Sequence, residues 1–350
     1  MNQPPVTSDL HIAGFQPLIA PNELLAELPL GESRAATVRG SRDAVRRVLA
    51  GDDDRLLVVV GPCSVHDPDA AVDYAVRLAK TAAELADELC VVMRVYFEKP
   101  RSTVGWKGLV NDPRLDGSYK VNEGLRVARK LLLDILALGL PVGSEFLDPI
   151  IPQYIADNVS WGSIGARTAQ SQVHRQLSSG LSMPIGIKNS TEGDVGGAID
   201  AVAAAAASHV FTSVTRDGVA AIFVTCGNPD CHVILRGSRT ATNYDAASVA
   251  DTLRRQAEAG LPRRLIIDAS HGNSGKDHRR QPEVARAVAE QVASGNRGIV
   301  GLMLESFLVD GRQELVLGRA DELTYGQSVT DSCLDWDTTV SVLRDVARTV

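Results

Sequence analysis

The amino-acid sequence predicts an α/β fold: a closed parallel (β/α)8 barrel of the TIM type, with an N-terminal extension and an inserted β-ribbon. Three observations carry this. Short apolar runs of strand length recur from Leu56 to Leu304, and there are eight of them. Segments of helical periodicity lie between them, the alternation that a parallel sheet covered by helices requires. Each run ends in a polar functional group, as suits a barrel whose chemistry gathers at the carboxyl ends of its strands. A two-domain doubly wound fold is the alternative for a chain of 350 residues. No G-x-G-x-x-G turn follows the first run to support it.

Residues 1 to about 32 are rich in Pro and polar side chains, with one short helical candidate near Glu23–Leu28, and read as an arm. Ser33–Ala50 reads as a helix ended by Gly51. Val38, Val45, Val48 and Leu49 form its apolar stripe. Arg34, Arg39, Arg42, Arg46 and Arg47 fill its other faces, expected to be solvated or to face another subunit. Residues 1–54 are therefore assigned to assembly or regulation and 55–350 to a catalytic barrel. The strand runs are Leu56–Val60, Val91–Val95, Leu140–Gly143, Trp161–Gly165, Met183–Ile187, His232–Leu235, Leu265–Ile267 and Ile299–Leu304. Clear helices between them are Ala70–Leu89, Glu123–Leu138, Gly196–Ser208 and Pro282–Val292. In Phe211–Thr225, Asp217-Gly218 separates two β-prone runs, a hairpin signal, so a β-ribbon is expected over about residues 209–226.

A net charge of −7 argues against general nucleic-acid or membrane-surface binding and makes local basic clusters more informative. Five cysteines, an odd number, suit reduced thiols in a cytoplasm better than a disulfide framework. The N-terminal residues carry no signal-peptide pattern, and no apolar run is long enough to span a bilayer.

The strand ends carry Cys63, Arg94, Glu145, Arg167, Lys188, Arg236, Asp268 with His271, and Glu305. After the second strand, Lys99, Arg101 and Lys107 make a basic loop broken by Pro100 and Gly105. Arg94, Lys99, Arg167, Lys188 and Arg236 are cations on one barrel face, suited to phosphate groups and a carboxylate. Cys63, His271 and Glu305 come from strands one, seven and eight, neighbours around a closed barrel, and Asp331 follows the last strand. A thiolate, an imidazole and two carboxylates suit a divalent transition metal of intermediate softness, with Asp268 orienting a neighbouring ligand. Singly, such groups are more often a buried thiol or an ion-pair partner; the set on adjacent strands is what favours a metal. Cys226 and Cys231 lack a second ligand pair and read as a turn, and His278-Arg279-Arg280 as the surface at a helix start.

The segments G-P-C-S-V-H-D-P, M-R-V-Y-F-E-K-P-R-S-T-V-G-W-K, G-S-E-F-L-D-P, W-G-S-I-G-A-R-T, I-G-I-K-N, H-V-I-L-R-G, I-D-A-S-H-G-N-S-G-K-D-H and G-L-M-L-E-S resemble the type I 3-deoxy-D-arabino-heptulosonate 7-phosphate (DAHP) synthases, of the subclass regulated by aromatic amino acids. The resemblance runs from about residue 15 to the C-terminus. It implies a cytoplasmic homodimer or homotetramer that condenses phosphoenolpyruvate with erythrose 4-phosphate, the first step of the shikimate pathway. It implies a divalent metal cation (Mn2+, Fe2+, Co2+ or Zn2+) on Cys63, His271, Glu305 and Asp331. Phosphoenolpyruvate would be held by Arg94, Lys99, Arg167, Lys188 and Arg236. Erythrose 4-phosphate would be held by Lys99, Pro100, Arg101 and Ser102, with Lys99, Glu145 and His271 as candidates to move protons. An aromatic amino acid effector, Phe favoured over Tyr or Trp, would bind at Gln153, Ser182, Phe211 and Ser213. Oxidation joining Cys333 to Cys63 would expel the metal. The sequence departs from the usual family pattern at K-P-R-S, A-R-T-A-Q-S, K-N-S-T-E-G and R-G-S, which raises a specialised paralogue. A related phosphoenolpyruvate-dependent ulosonate-phosphate synthase, or a non-catalytic barrel kept as an effector- or partner-binding subunit, are the other readings.

Overall fold

The computed structural model describes residues 7–101 and 103–350. A short helix α1 (Pro21–Glu27) precedes α2 (Glu32–Ala50), and β1 (Leu56–Gly61) opens the barrel. Then follow α3 (Pro68–Glu84), β2 (Leu89–Arg94), α4 (Val121–Ala137), β3 (Val142–Glu145), α5 (Pro152–Ile155), β4 (Trp161–Ile164), α6 (Gln172–Gly180), β5 (Ile185–Lys188) and α7 (Gly196–Ala206). The ribbon is β6 (Val210–Val214) and β7 (Ala220–Val224), paired antiparallel. β8 (His232–Leu235), α8 (Ala246–Glu258), β9 (Leu265–Asp268), α9 (Gln281–Ala293) and β10 (Ile299–Glu305) complete the barrel. β11 (Val309–Arg312), β12 (Gln327–Ser328) and α10 (Trp336–Thr349) follow it.

The barrel closes in the order β1-β10-β9-β8-β5-β4-β3-β2, every pairing parallel. Each of the eight apolar runs forms one of its strands. Their side chains alternate although nearly all are buried. Val58 and Val60 join the apolar layer outside the barrel, while Leu57 and Val59 point into its interior. Trp161 fills that interior beside Gly143 and Gly186, where an added Cβ would lie 3.1 and 2.7 Å from the indole.

Parallel strands place all carboxyl ends on one rim. The opposite end is plugged by α2, whose Val45, Val48 and Leu49 pack with Leu57, Val59 and Val92 of the barrel interior. Arg39 and Arg47 are exposed, as expected, but Arg34, Arg42 and Arg46 depart from the expected solvated or subunit-facing surface. Arg42 donates to Val159 O and Ala156 O, Arg34 Nε to Leu133 O at 3.0 Å, and Arg46 Nε to Asp230 at 2.9 Å. Desolvation has a physical cost here: burial, with Arg46 nearby, lowers the Arg42 pKa to about 10. Arg42 satisfies carbonyls that the 156–159 turn leaves open, and Arg46 pairs with a carboxylate.

Candidate active site

A cavity of about 540 Å³ opens at the carboxyl rim. Arg94, Lys99, Pro100, Arg101, Glu145, Arg167, Lys188, Arg236, His271 and Asp331 line it, drawn from loops and strand ends all round the barrel. Ser102 lies outside the described residues. Lys107 is exposed, and its carbonyl accepts from Lys99 N at 2.9 Å and closes the base of the basic loop.

Cys63, Glu305 and Asp331 bring one ligand atom each to within 4.8 Å of one another, the set among the described residues that could hold a metal ion. His271 stands beside them, its Nε2 3.6 Å from Glu305 Oε1. Its backbone has φ +53°, and Lys276, which closes the turn through Lys276 N to His271 O at 2.7 Å, has φ +63°. Two non-glycine left-handed residues in one turn are strained, a cost that buys a fixed direction for the imidazole. His271 Nδ1 lies 2.9 Å from Asp268 Oδ2. An ionised carboxylate only accepts, so Nδ1 carries the proton and Nε2 offers its lone pair to the cluster. Asp268 is thus an orienting group and not a member of the cluster. Burial pushes its carboxyl up, but His271 and the Lys188 ammonium at 2.8 Å outweigh that and hold it well below the ordinary value.

Three cations touch the cluster. Arg94 NH2 donates to Glu305 Oε1 at 2.8 Å and to Cys63 O at 3.0 Å, while its guanidinium carbon sits 3.6 Å over the Tyr96 ring. Arg94 is therefore held largely by protein groups, more so than a residue dedicated to substrate alone. Lys99 Nζ lies 3.2 Å from Cys63 Sγ, and Lys276 Nζ 3.5 Å from Asp331. Burial drives the Cys63 thiol up, with Glu305 adding to it. Burial also opposes ionisation of Asp331, but His271, Lys99 and Lys276 hold it at about 2. Glu145 sits with its Oε1 where a Cβ on Gly165 would lie 2.2 Å away, so glycine at 165 is what admits the carboxylate.

A second cavity of about 390 Å³ lies between α2, α5, α6 and the ribbon. Gln153, Ser182, Phe211 and Ser213 all line it, together with Arg39, Arg42, Asp157 and Arg216.

The model of the DAHP synthetase I family matches residues 29–344. The chain belongs to this family. It is 54% identical over 342 residues to the Phe-sensitive phospho-2-dehydro-3-deoxyheptonate aldolase of Escherichia coli (strain K12), covering 98% of this chain and 97% of that one. It is 53% identical over 349 residues to the phospho-2-dehydro-3-deoxyheptonate aldolase of Corynebacterium glutamicum, covering 98% and 94%. It is 51% identical over 339 residues to the Tyr-sensitive Escherichia coli (strain K12) relative, covering 97% and 95%. The solved structure of phospho-2-dehydro-3-deoxyheptonate aldolase from Francisella tularensis SCHU S4 superposes with a TM-score of 0.94 at 48% identity, covering 97% of this chain and 98% of that one.

Sequence reasoning passed over Arg239 and Lys276, which line the first cavity, and Arg216, which lines the second. Lys276 had a signal, its place in the His271 turn; the others sit in polar loops with none. Glu98 was also passed over, although a lone acid inside a basic stretch is itself a signal.

Proposed function

We propose that this chain condenses phosphoenolpyruvate with erythrose 4-phosphate and water to give DAHP and inorganic phosphate, the first step of the shikimate pathway. The observation that carries it is one cavity where a wall of cations meets the Cys63, Glu305 and Asp331 cluster, in a chain of this family.

The donor set fits a divalent metal: a thiol and two carboxylates converge and an imidazole lone pair faces them, the mixed sulfur, nitrogen and oxygen ligands that such an ion takes. When bound by Cys63, His271, Glu305 and Asp331, the metal (Mn2+, Fe2+, Co2+ or Zn2+) supplies Lewis acidity toward an aldehyde oxygen. The chain's own residues do the rest. Arg94, Arg167, Lys188 and Arg236 hold the phosphate and carboxylate of phosphoenolpyruvate, keeping its enol carbon oriented. Burial and the neighbouring Arg167 lower the Arg236 pKa, so an anion at this place gains from relieving two crowded cations. Pro100, Arg101 and Ser102 hold the aldose, Arg101 on its phosphate, and Lys99 lies where the substrates meet. The enol carbon bonds to the aldehyde carbon, water adds at C2, and C–O cleavage expels phosphate into the cation wall. Lys99 and Glu145 are the candidates to move protons at the substrates; His271, with Nδ1 turned to Asp268 and Nε2 to the cluster, is left to hold the metal.

The second cavity takes an aromatic amino acid, with Phe favoured, as a feedback inhibitor. The exposed apolar residues Val210, Ile222 and Val224 of the ribbon and Leu10, Ile12 and Phe15 of the arm support contacts between copies in a homodimer or homotetramer. Among the described residues no helix is long and apolar enough to cross a membrane; a cytoplasmic setting suits the reduced thiols.

The test is loss of phosphoenolpyruvate with either erythrose 4-phosphate or arabinose 5-phosphate, with and without chelator. Turnover should need the four-carbon aldose, stop on chelation and return with added divalent metal. Activity that survives complete metal removal, or a preference for arabinose 5-phosphate, overturns the reading. Titration with Phe, Tyr and Trp tests the effector, and no response to Phe refutes that choice.

A further inference from the structure

Arg236 differs from Arg94, Lys99 and Lys188 in what holds it. Those three each donate to an acid or a thiol of the site. The buried Arg236 side chain leaves its Nε without a partner among the described residues, and its Nη1 reaches Gly237 O only at 3.4 Å. A guanidinium in that state gains by swinging toward water or a carboxylate, so its place depends on its backbone.

That backbone has run out of strand neighbours. The last registered pairs are Lys188 with Ile234 and Leu235 with Ile267, so the ladder gives out where Arg236 begins. Three asparagine side chains take over. Asn189, next to Lys188, accepts from Arg236 N at 2.8 Å and donates to Gly237 O at 3.0 Å. Asn243, in the loop after β8, accepts from Gly237 N at 2.7 Å and donates to Asn189 Oδ1 at 3.2 Å. Asn273, in the loop after β9, donates to Leu235 O at 3.2 Å and to Asp268 O at 2.9 Å, and accepts from Asn243 N at 2.8 Å. Gly272 N donates to Arg236 O at 3.0 Å, so every polar backbone atom of Arg236 and Gly237 is held. The backbone partners fix which end of each amide is oxygen, since an N–H only donates and a carbonyl only accepts. Gly237, at φ +70°, lets the two loops meet backbone to backbone: a Cβ there would lie 2.6 Å from Asn273 N.

We propose that Asn189, Asn243 and Asn273 are positioning residues that together fix the backbone of Arg236, holding its unpaired guanidinium ready for an anionic group of phosphoenolpyruvate. The proposal rests on reading the first cavity as the site of that substrate. The frame also sets Arg236 against its neighbours, because Asn189 follows Lys188 and Asn273 bonds the carbonyl of Asp268, the Lys188 partner. An anion entering the cavity then meets cations already spaced for it, and spends little of its binding on ordering them.

The experiment measures the Kd of phosphoenolpyruvate by calorimetry on full-length, metal-loaded wild type, Asn243→Ala, Arg236→Lys and the double variant. Asn243 is chosen because it is half-buried and stands outside the cavity lining. Asn243→Ser stands in should the Ala variant not fold. Asn243→Ala should raise the Kd about tenfold, the scale of one lost buried hydrogen bond. In the Arg236→Lys background the same change should stay within about twofold, because an ammonium on a flexible stem acts as a point charge and needs no fixed fork. Gln256→Met removes a comparable buried bond, from Gln256 Nε2 to Arg264 O at 2.9 Å, outside the cavity lining. It should lower stability and leave the Kd within about twofold, which separates loss of position from loss of stability. An equal rise in Kd in both backgrounds overturns the proposal, since the frame would then act without Arg236. A Kd of Asn243→Ala within about twofold of wild type overturns it too. Failure of wild type to bind phosphoenolpyruvate is a separate result: it removes the reading of the first cavity, and the positioning role with it.

Discussion

Asp268→Asn removes one charge from one of the two enclosed ion pairs of the cavity floor. Asp268 is fully buried and Lys188 nearly so, with Nζ and Oδ2 2.8 Å apart. At an effective dielectric of 20, charges so placed attract by about 6 kcal/mol, and desolvation cancels much of that. Breaking such a pair from one side costs about 3–5 kcal/mol, because the remaining charge stays buried. The Asn oxygen can keep the bonds from Ser270 N (3.0 Å) and Ser270 Oγ (2.6 Å), so the lower end, about 3 kcal/mol, is expected. The second consequence is at His271. An amide can present N–H where the carboxylate accepted, which frees Nδ1 to lose its proton and turns the tautomer away from the cluster. Metal affinity should then fall about 10- to 100-fold. Denaturation of metal-free protein at pH 7 measures the first effect, and competition with a fluorescent chelator the second. The native Asp268 carboxyl is held below its unfolded value of about 3.9, so its stabilisation is present above that pH and lost as pH falls. A variant within about 1 kcal/mol of wild type, with unchanged metal affinity, would refute both the ion-pair argument and the orienting role.

Arg101→Ala should raise KM for erythrose 4-phosphate by at least about tenfold, as a lost charge-assisted phosphate contact does, and leave phosphoenolpyruvate within about threefold; equal losses for both substrates would mean the loop is wrongly divided between them. His232 is fully buried, accepting from Trp161 Nε1 at 3.2 Å while its Nδ1 meets Asp230 O at 3.0 Å. Burial lowers its pKa to about 3. Between that value and the unfolded 6.5 the unfolded chain binds the extra proton, so stability is complete above pH 6.5 and declines as pH falls, by about 2 kcal/mol at pH 5. His232→Gln should lose that part of the decline in denaturation runs at pH 7 and pH 5, and equal pH slopes would count against it.

The barrel was legible because each strand is a compact apolar run, and the errors at its edges have one cause. Glu145, Lys188, Asp268 and Glu305 are the last residues of their strands, inside the hydrogen-bonded ladder but outside the apolar pattern, and Val95 is apolar and buried one residue beyond the end of β2. Hydrophobicity reports burial and says nothing of where a ladder stops. Helices went unread for a related reason. The buried stripe of α8 is Val249, Thr252, Leu253 and Gln256, at helical spacing but half polar. Gln256 is buried because its Nε2 donates to Arg264 O at 2.9 Å, a partner no local pattern shows. Arg34, Arg42 and Arg46 of α2 were misjudged in the same way: which carbonyls and carboxylates an arginine meets is decided by packing. The bonds from Leu147 N and Asp148 N to the buried Glu98 carboxyl lay beyond reach altogether, since they join residues distant in the chain by backbone N–H groups, which every sequence carries alike.

The geometry of the cluster leads to one more step. Cys63 faces Lys99, Glu305 faces Arg94, and Asp331 faces Lys276. A divalent cation taken up by these three ligands, with the Cys63 thiol giving up its proton, competes with all three ammonium and guanidinium groups. Lys99 and Arg94 are also cations of the proposed substrate wall. Drawing the anions toward a metal frees those two for phosphate and carboxylate, and an anionic substrate holding them leaves the cluster more negative for the metal. Both directions carry the same coupling free energy, as linkage requires. Phosphoenolpyruvate should therefore tighten metal binding by the factor by which metal tightens phosphoenolpyruvate, and shared residues, not a conformational change elsewhere, are sufficient to produce it.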